Sequence, residues 1–184
     1  MADDPMAELQ AKYQQLLTLQ KEMVDLMASL PQPAVGDYHL KTHDGGEIGL
    51  ADLFGEQDAL ILVHNMGFSC SYCTMWADGF NGVLPHLQER AAFAVASPEP
   101  VETQKKGMAK RGWRFPMVSA EGTTLFADMG FEHDGQPMPG ASIFVKDADG
   151  TIRRHTSTMF GPGDKFCSVW AFAELLPGDP DAAQ

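Results

Sequence analysis

Cys70 and Cys73 stand three positions apart, just beyond an almost wholly apolar, β-branched-rich run, Ala59-Leu60-Ile61-Leu62-Val63, and the polar pair His64-Asn65. The run has the length and composition of a strand buried on both faces. Gly67 marks a short turn, and Thr74-Met75-Trp76-Ala77 continue a helix that the cysteines open. A strand feeding a helix whose first turn carries Cys-x-x-Cys is the arrangement used for thiol–disulfide chemistry. The first N–H groups of a helix have no intrahelical partner and its dipole is positive there, so a thiolate is stabilised and its pKa falls. The i,i+3 spacing sets the second sulfur on the same helical face, within reach of a disulfide. Cys70, nearer the free N–H groups, is the expected attacking thiol. Cys73, one turn inside, is the expected resolving thiol. The competing reading makes both cysteines small apolar residues packing a helix end. A zinc site is not expected, because it needs four ligands and no second Cys-x-x-Cys or His pair follows at ligand spacing.

Other candidate residues are weaker. His64, His86 and His155 lack a Ser or Asp partner at an informative spacing. Asp44-Gly45-Gly46 and Asp147-Ala148-Asp149-Gly150 read as turns, since the twelve-residue calcium-loop pattern is absent. Cys167, beside Phe166 and Val169, reads as a core thiol. No glycine-rich phosphate loop follows a strand, so no nucleotide is indicated, and no cofactor or metal is expected.

The elements that must position the cysteines follow from patterning. Asp4 can cap, and Pro5 can open, a long helix to about residue 29. Its apolar stripe is Met6, Leu9, Tyr13, Leu16, Met23, Met27 and Leu30, at alternating spacings of three and four, with Gln20 in the one polar gap. Leu17, Val24 and Leu26 widen the stripe. It is expected to pack on its own domain or, slightly preferred, against a second copy in a homodimer. Pro31 and Pro33 end it.

A hairpin is expected over 38–48 and a helical turn over 50–55, followed by the strand at 59–65. The helix after Cys73 carries Gly79, Gly82 and Pro85, so a kink or break near Gly82 is expected. Trp76 reads as core, with a wall of the thiol site as the alternative. A second buried strand spans 92–96, a polar helix spans 101–111 and stops at Gly112, and a short extended piece spans 115–118. A helical turn is expected near 125–131 and a loop over 135–140. A hairpin with arms 142–146 and 151–156 precedes a last helix, 165–176, capped by Asp164. Residues 179–184 read as a frayed tail.

Composition narrows the function. The 184-residue chain carries 13 basic and 25 acidic residues, a net charge of −12, which speaks against nucleic acid and anionic membrane surfaces as partners. No run approaches the roughly 18 apolar residues of a membrane span. The segment Met1-Ala2-Asp3-Asp4-Pro5 lacks the basic and apolar regions of a signal peptide. Three cysteines, two at redox spacing, suit a reducing compartment, and a cytoplasmic protein is expected.

The element order is strand, Cys-x-x-Cys helix, strand, helix, then a β-hairpin and a closing helix. This resembles the thioredoxin arrangement, a parallel βαβ unit followed by ββα. The expected fold is therefore α/β and thioredoxin-like, a central mixed β-sheet flanked by helices, with an added N-terminal amphipathic helix. The expected organisation is helix and linker over 1–33, a thioredoxin-like domain over 34–178, and a tail over 179–184.

The segment from Val35-Gly36-Asp37 through Gly55 resembles the opening of peroxiredoxin-like and membrane-anchored thioredoxin-like proteins. The run Cys70-Ser71-Tyr72-Cys73-Thr74-Met75-Trp76-Ala77-Asp78-Gly79-Phe80-Asn81-Gly82 is similar to the signature of an uncharacterised bacterial thioredoxin-like family, a domain of unknown function. Gly112-Trp113-Arg114-Phe115-Pro116 and the stretch from Gly150 to Gly161 fit it as well. The resemblance implies the fold strongly and the activity weakly.

Peroxiredoxins place Thr three residues, and Pro seven residues, before their peroxide-attacking Cys. Gly67 and Val63 occupy those positions here, which weighs against a peroxidase. Ser69 stands where thioredoxins have Trp, and Ala141 where their cis-Pro would fall, with Pro139 two residues early. The expected function is a thiol–disulfide oxidoreductase acting through Cys70 and Cys73 on a protein or small-molecule disulfide. A thiol peroxidase and a non-catalytic interaction or redox-sensing module are the alternatives.

Overall fold

The computed structural model describes residues 4–177 of the chain. It divides at Gln32–Pro33 into two compact units. The first unit is one helix, α1 (Pro5–Ser29), capped where the side chain of Asp4 accepts the N–H of Met6 at 3.0 Å. Pro5 occupies its first turn, where a missing N–H costs nothing. No residue of α1 is buried.

The second unit is built on a seven-stranded mixed sheet. Its strands in chain order are β1 (His39–Lys41), β2 (Glu47–Gly49), β3 (Ala59–His64), β4 (Ala92–Ser97), β5 (Met117–Ser119), β8 (Gly140–Lys146) and β9 (Ile152–Met159). A separate two-stranded ribbon is formed by β6 (Glu132–His133) and β7 (Gln136–Pro137). The sheet order is β2-β1-β5-β4-β3-β8-β9. Strands β3, β4 and β5 are parallel, and the flanking pairings are antiparallel.

Strand periodicity sorts the apolar runs onto two faces. Leu60 and Leu62 of β3, with Ala94 and Ala96 of β4, join one core together with Leu40, Phe54 and Phe126. Val63 of β3 and Phe93 and Val95 of β4 point into the other core, which holds Cys73, Trp76, Phe80 and Trp113. A central strand without a polar face is what a sheet covered on both sides requires. The fold is thus α/β, with a central mixed sheet flanked by helices and an N-terminal helix of its own.

The helices of the second unit are α2 (Ser71–Gln88), α3 (Val101–Arg111), α4 (Leu125–Asp128) and α5 (Ser168–Ala173). A single 3-10 turn, Asp52–Phe54, closes on Gly55. Helix α3 stops where Gly112 turns left-handed, φ 68°, as its position predicts.

Three local expectations are corrected. Helix α2 runs unbroken through Gly79, Gly82 and Pro85. Pro85 lies on its exposed side, where water can replace the missing backbone bond, while Cys73, Trp76, Ala77, Phe80 and Leu84 hold the opposite side in the core. The expected loop at 135–140 contains β7 and the first residue of β8. The last helix is shorter than its apolar pattern suggests. Asp164 commits its carboxylate to the N–H groups of Gly161 and Phe166, closing a turn, and the helix starts only after Cys167. The expected tail at 179–184 lies outside the described residues.

Candidate functional site

Strand β3 ends at His64, and residues 65–69 carry the chain to α2. Three of the hydrogen bonds that fix that loop are made within it or to the cysteine segment. Asn65 Oδ1 accepts the N–H of Gly67 at 2.8 Å, and Asn65 Nδ2 donates to the carbonyl of Cys73 at 3.3 Å. The N–H of Cys70 donates to the carbonyl of Gly67 at 3.2 Å. Gly67 has φ 112°, a conformation that disfavours any side chain, and a Cβ there would fall 2.5 Å from the Glu99 carboxyl carbon.

Cys70 is the N-cap of α2, with extended backbone, and is half-buried. Its Sγ accepts the backbone N–H of Cys73 at 3.2 Å, so the sulfur fills the capping place of a Ser or Asp oxygen. Cys73 is 1% exposed. Its thiol is pushed up to about 12, first by burial and then by a hydrogen bond to Cys70, with the charge of Glu99 adding in the same direction. The two cysteines are both free thiols and hydrogen-bonded to one another. One is accessible at the helix end, and the other is sealed beneath it.

Residues with no chemical signature in the sequence build the surroundings. Glu99, just after β4, accepts the N–H of Phe68 at 3.0 Å through Oε1, while Oε2 is buried without a partner. Burial raises its carboxyl above the usual range. The Gln104 side chain is fully buried, and its Nε2 donates to the carbonyls of Ser97, Glu99 and Val118 at 3.3, 3.2 and 3.1 Å. It therefore ties the end of β4 and the Glu99 turn to β5. The Phe68 ring stacks on Trp113 with centroids 4.9 Å apart. It fits only because residue 107 is glycine, since a Cβ there would lie 2.2 Å from the ring. A glycine inside a helix was the one sequence signal for this contact.

The two motifs quoted from the sequence meet in space. Asp78 of α2 accepts Trp113 Nε1 at 2.7 Å and pairs with Arg111 at 2.6 Å. Asn81, one turn on, donates to the carbonyl of Gly112 at 3.2 Å and accepts the N–H of Arg114 at 2.8 Å. The cysteine-bearing helix is thereby fastened to the segment that leads from α3 into β5.

Other candidates fall elsewhere. His64 is fully buried, stacked on Phe131 at 4.0 Å and bonded through Nε2 to Ser142 Oγ at 2.9 Å. Burial holds its pKa down to about 3. Trp76 and Cys167 are core residues. His86 is exposed in the last turn of α2, and His155 is half-buried on β9. Among the described residues, no three His, Cys, Asp or Glu side chains come together as metal ligands. No peptide bond among them is cis, and Ala141, opposite Val63 in the sheet, stands where the proline would fall.

A strand–loop–helix unit with Cys-x-x-Cys at the helix start, on a mixed sheet with helices on both faces, defines a thioredoxin-like protein. The chain belongs to a bacterial family of unknown function, DUF899, which it matches over residues 4–179. No curated protein matches the sequence. Among solved structures it is similar to peroxidoxin BcpB from Mycobacterium tuberculosis, at 26% identity and a TM-score of 0.55, over 70% of this chain and 84% of that one. It is also similar to a cysteine-to-serine mutant of peroxiredoxin Q from Xanthomonas campestris, at 22% identity and a TM-score of 0.55, over 72% and 87%. A candidate protein disulfide isomerase from Bacteroides thetaiotaomicron matches at 18% identity and a TM-score of 0.51, over 77% and 82%.

Proposed function

We propose that the protein is a thiol–disulfide oxidoreductase with Cys70 as the attacking and Cys73 as the resolving thiol. The observation that carries this reading is the asymmetry of the pair: a half-exposed sulfur capping α2, hydrogen-bonded to a sealed thiol three residues on. The Cys70 thiolate attacks one sulfur of a substrate disulfide. A Cys70–substrate bond forms, and the other half leaves as a thiolate that takes up a proton. Cys73 then loses its proton and attacks the Cys70 sulfur, forming the Cys70–Cys73 disulfide and releasing the second substrate thiolate. The substrate gains two electrons, and an external dithiol must return them to the enzyme. A Cys73 thiol held up to about 12 stays protonated while Cys70 reacts, which supports this order of attack.

Insulin reduction with a dithiol reductant tests it. Cys70→Ser should fall to the uncatalysed rate. Cys73→Ser should accumulate a mixed disulfide at Cys70, visible as an added mass. Equal activity in wild type and Cys70→Ser would remove the proposal.

The similarity to peroxidoxin BcpB favours a second reading, in which Cys70 is oxidised by peroxide to a sulfenic acid, releasing water or alcohol, and condenses with Cys73 to the disulfide with loss of water. Gly67 and Val63 at the Thr and Pro positions weigh against it. Stopped-flow consumption of hydrogen peroxide no faster than by a free thiol would remove this second reading.

A further inference from the structure

Helix α1 carries a pattern that the thiol chemistry does not use. Within it, Met6, Tyr13, Gln20 and Met27 fall on one heptad position, and Leu9, Leu16 and Met23, with Leu30 at the C-cap, fall on the other. The spacing alternates three and four without a slip across four heptads. A strict alternation of this kind is the seam of a left-handed two-helix supercoil, and differs from the drifting 3.6-residue stripe of a helix lying on a globular core. Leu17, Leu19, Val24 and Leu26 border the seam in its second half. The remaining face is polar, and its ion pairs, Glu8–Lys12 at 3.4 Å and Lys21–Asp25 at 2.6 Å, are made within the helix. The seam residues Met6, Leu9, Tyr13, Leu16, Met23 and Leu30 are 50% to 63% exposed, while Gln20 and Met27 are half-buried, so most of the apolar stripe stands in water.

We propose that α1 is a self-association element, through which a second copy of this chain pairs in parallel and in register. Gln20 identifies the occupant. It is the one polar side chain in the seam, and its amide carries both donors and an acceptor. An apolar partner surface would leave those groups unsatisfied. In a parallel, in-register pair, Gln20 faces Gln20 of the second copy and each amide supplies what the other lacks. A single polar residue at this heptad position also fixes register against slippage. The length suffices: 25 residues make a rod about 37 Å long. A standard interface of about 800 Å² per partner asks ~100 Å² on average from eight seam residues. The exposed seam side chains and the bordering Leu17, Leu19, Val24 and Leu26 offset the smaller share left at Gln20 and Met27.

Sedimentation equilibrium of the full chain at tens of micromolar should give twice the chain mass. Leu16→Lys with Met23→Lys should return it to one chain, with the second unit's thermal transition unchanged. Melting of the helix by those lysines would give the same mass, so a gentler pair of variants reads the geometry. Under mild oxidation, Gln20→Cys should form a 20-to-20 disulfide between chains, mapped by peptide mass spectrometry, and Lys21→Cys on the outer face should not. A wild-type mass of one chain overturns the proposal. A double mass that survives both lysines, or that forms no 20-to-20 link, overturns it as well.

Discussion

Among the described residues, Glu99 is the carboxylate whose charge bears on Cys73 beside that of Cys70, and it is held there by the N–H of Phe68 rather than by a basic partner. Glu99→Gln keeps an oxygen for that N–H and removes the charge. The Cys73 thiol should then ionise at a lower pH, read as an acid-shifted profile of Cys73 alkylation followed by mass spectrometry. An unchanged profile would show that burial and the Cys70 contact set it without Glu99. His64 gives a second residue-level outcome. In the fold its pKa is about 3, against 6.5 in an unfolded chain. The unfolded chain therefore takes up a proton first as pH drops, while the folded chain does not. The stability from a neutral His64 is complete above 6.5 and is lost progressively as pH falls toward 3, at most ~1.4 kcal/mol per pH unit. Urea midpoints across this range should show that slope, and His64→Gln should flatten it while lowering baseline stability by ~1–3 kcal/mol through poorer packing. Cys73 acts at the other end: its contribution holds below 9 and is lost as pH rises toward about 12. The two cysteines were legible because residue type and spacing mark them. Glu99, Gln104 and Asn65 were not, because each acts through a loop brought near by the fold, and an isolated Glu, Gln or Asn carries no such pattern.

At the scale of elements, the clasp between α2 and the segment after α3 sets how firmly the thiol helix is held. Trp113 is buried and gives its indole N–H to Asp78. Asp78→Ala leaves that N–H without an acceptor in a buried place, and should destabilise the second unit by ~1–3 kcal/mol, measured by urea denaturation. Asp78→Asn keeps an oxygen and should recover most of the loss. Helix and strand extents were largely readable, since Asp4, Pro5, Gly55 and Gly112 punctuate the chain with side-chain and backbone chemistry of their own. The misreading at Pro85 has a tertiary cause. Propensity argues for a broken helix, but a buried stripe from Cys73 to Leu84 outweighs one lost backbone bond on the wet side. At Asp164 the local turn wins over the apolar pattern that follows it.

For the whole molecule, the order of apolar runs carried the fold class, and the unbroken apolar stretches of β3 and β4 foretold cores on both faces of the sheet. The sheet order was less accessible. That β1 joins β5, and that β8 lies beside β3, depends on pairing between strands far apart in sequence, which local patterns do not encode. The net charge of −12 is spread over a chain whose long helix carries a neutral seam. Self-repulsion between copies is screened by salt, so the association proposed for α1 should strengthen as ionic strength rises.

The Asp78 and Asn81 clasp also bears on grafting. Transplanting residues 70–82 into another scaffold would carry two polar anchors without the backbone and indole groups they hold. A transplant that keeps the clasp must therefore run from Asn65 through Arg114, taking loop, α2, β4, α3 and return segment as a single piece.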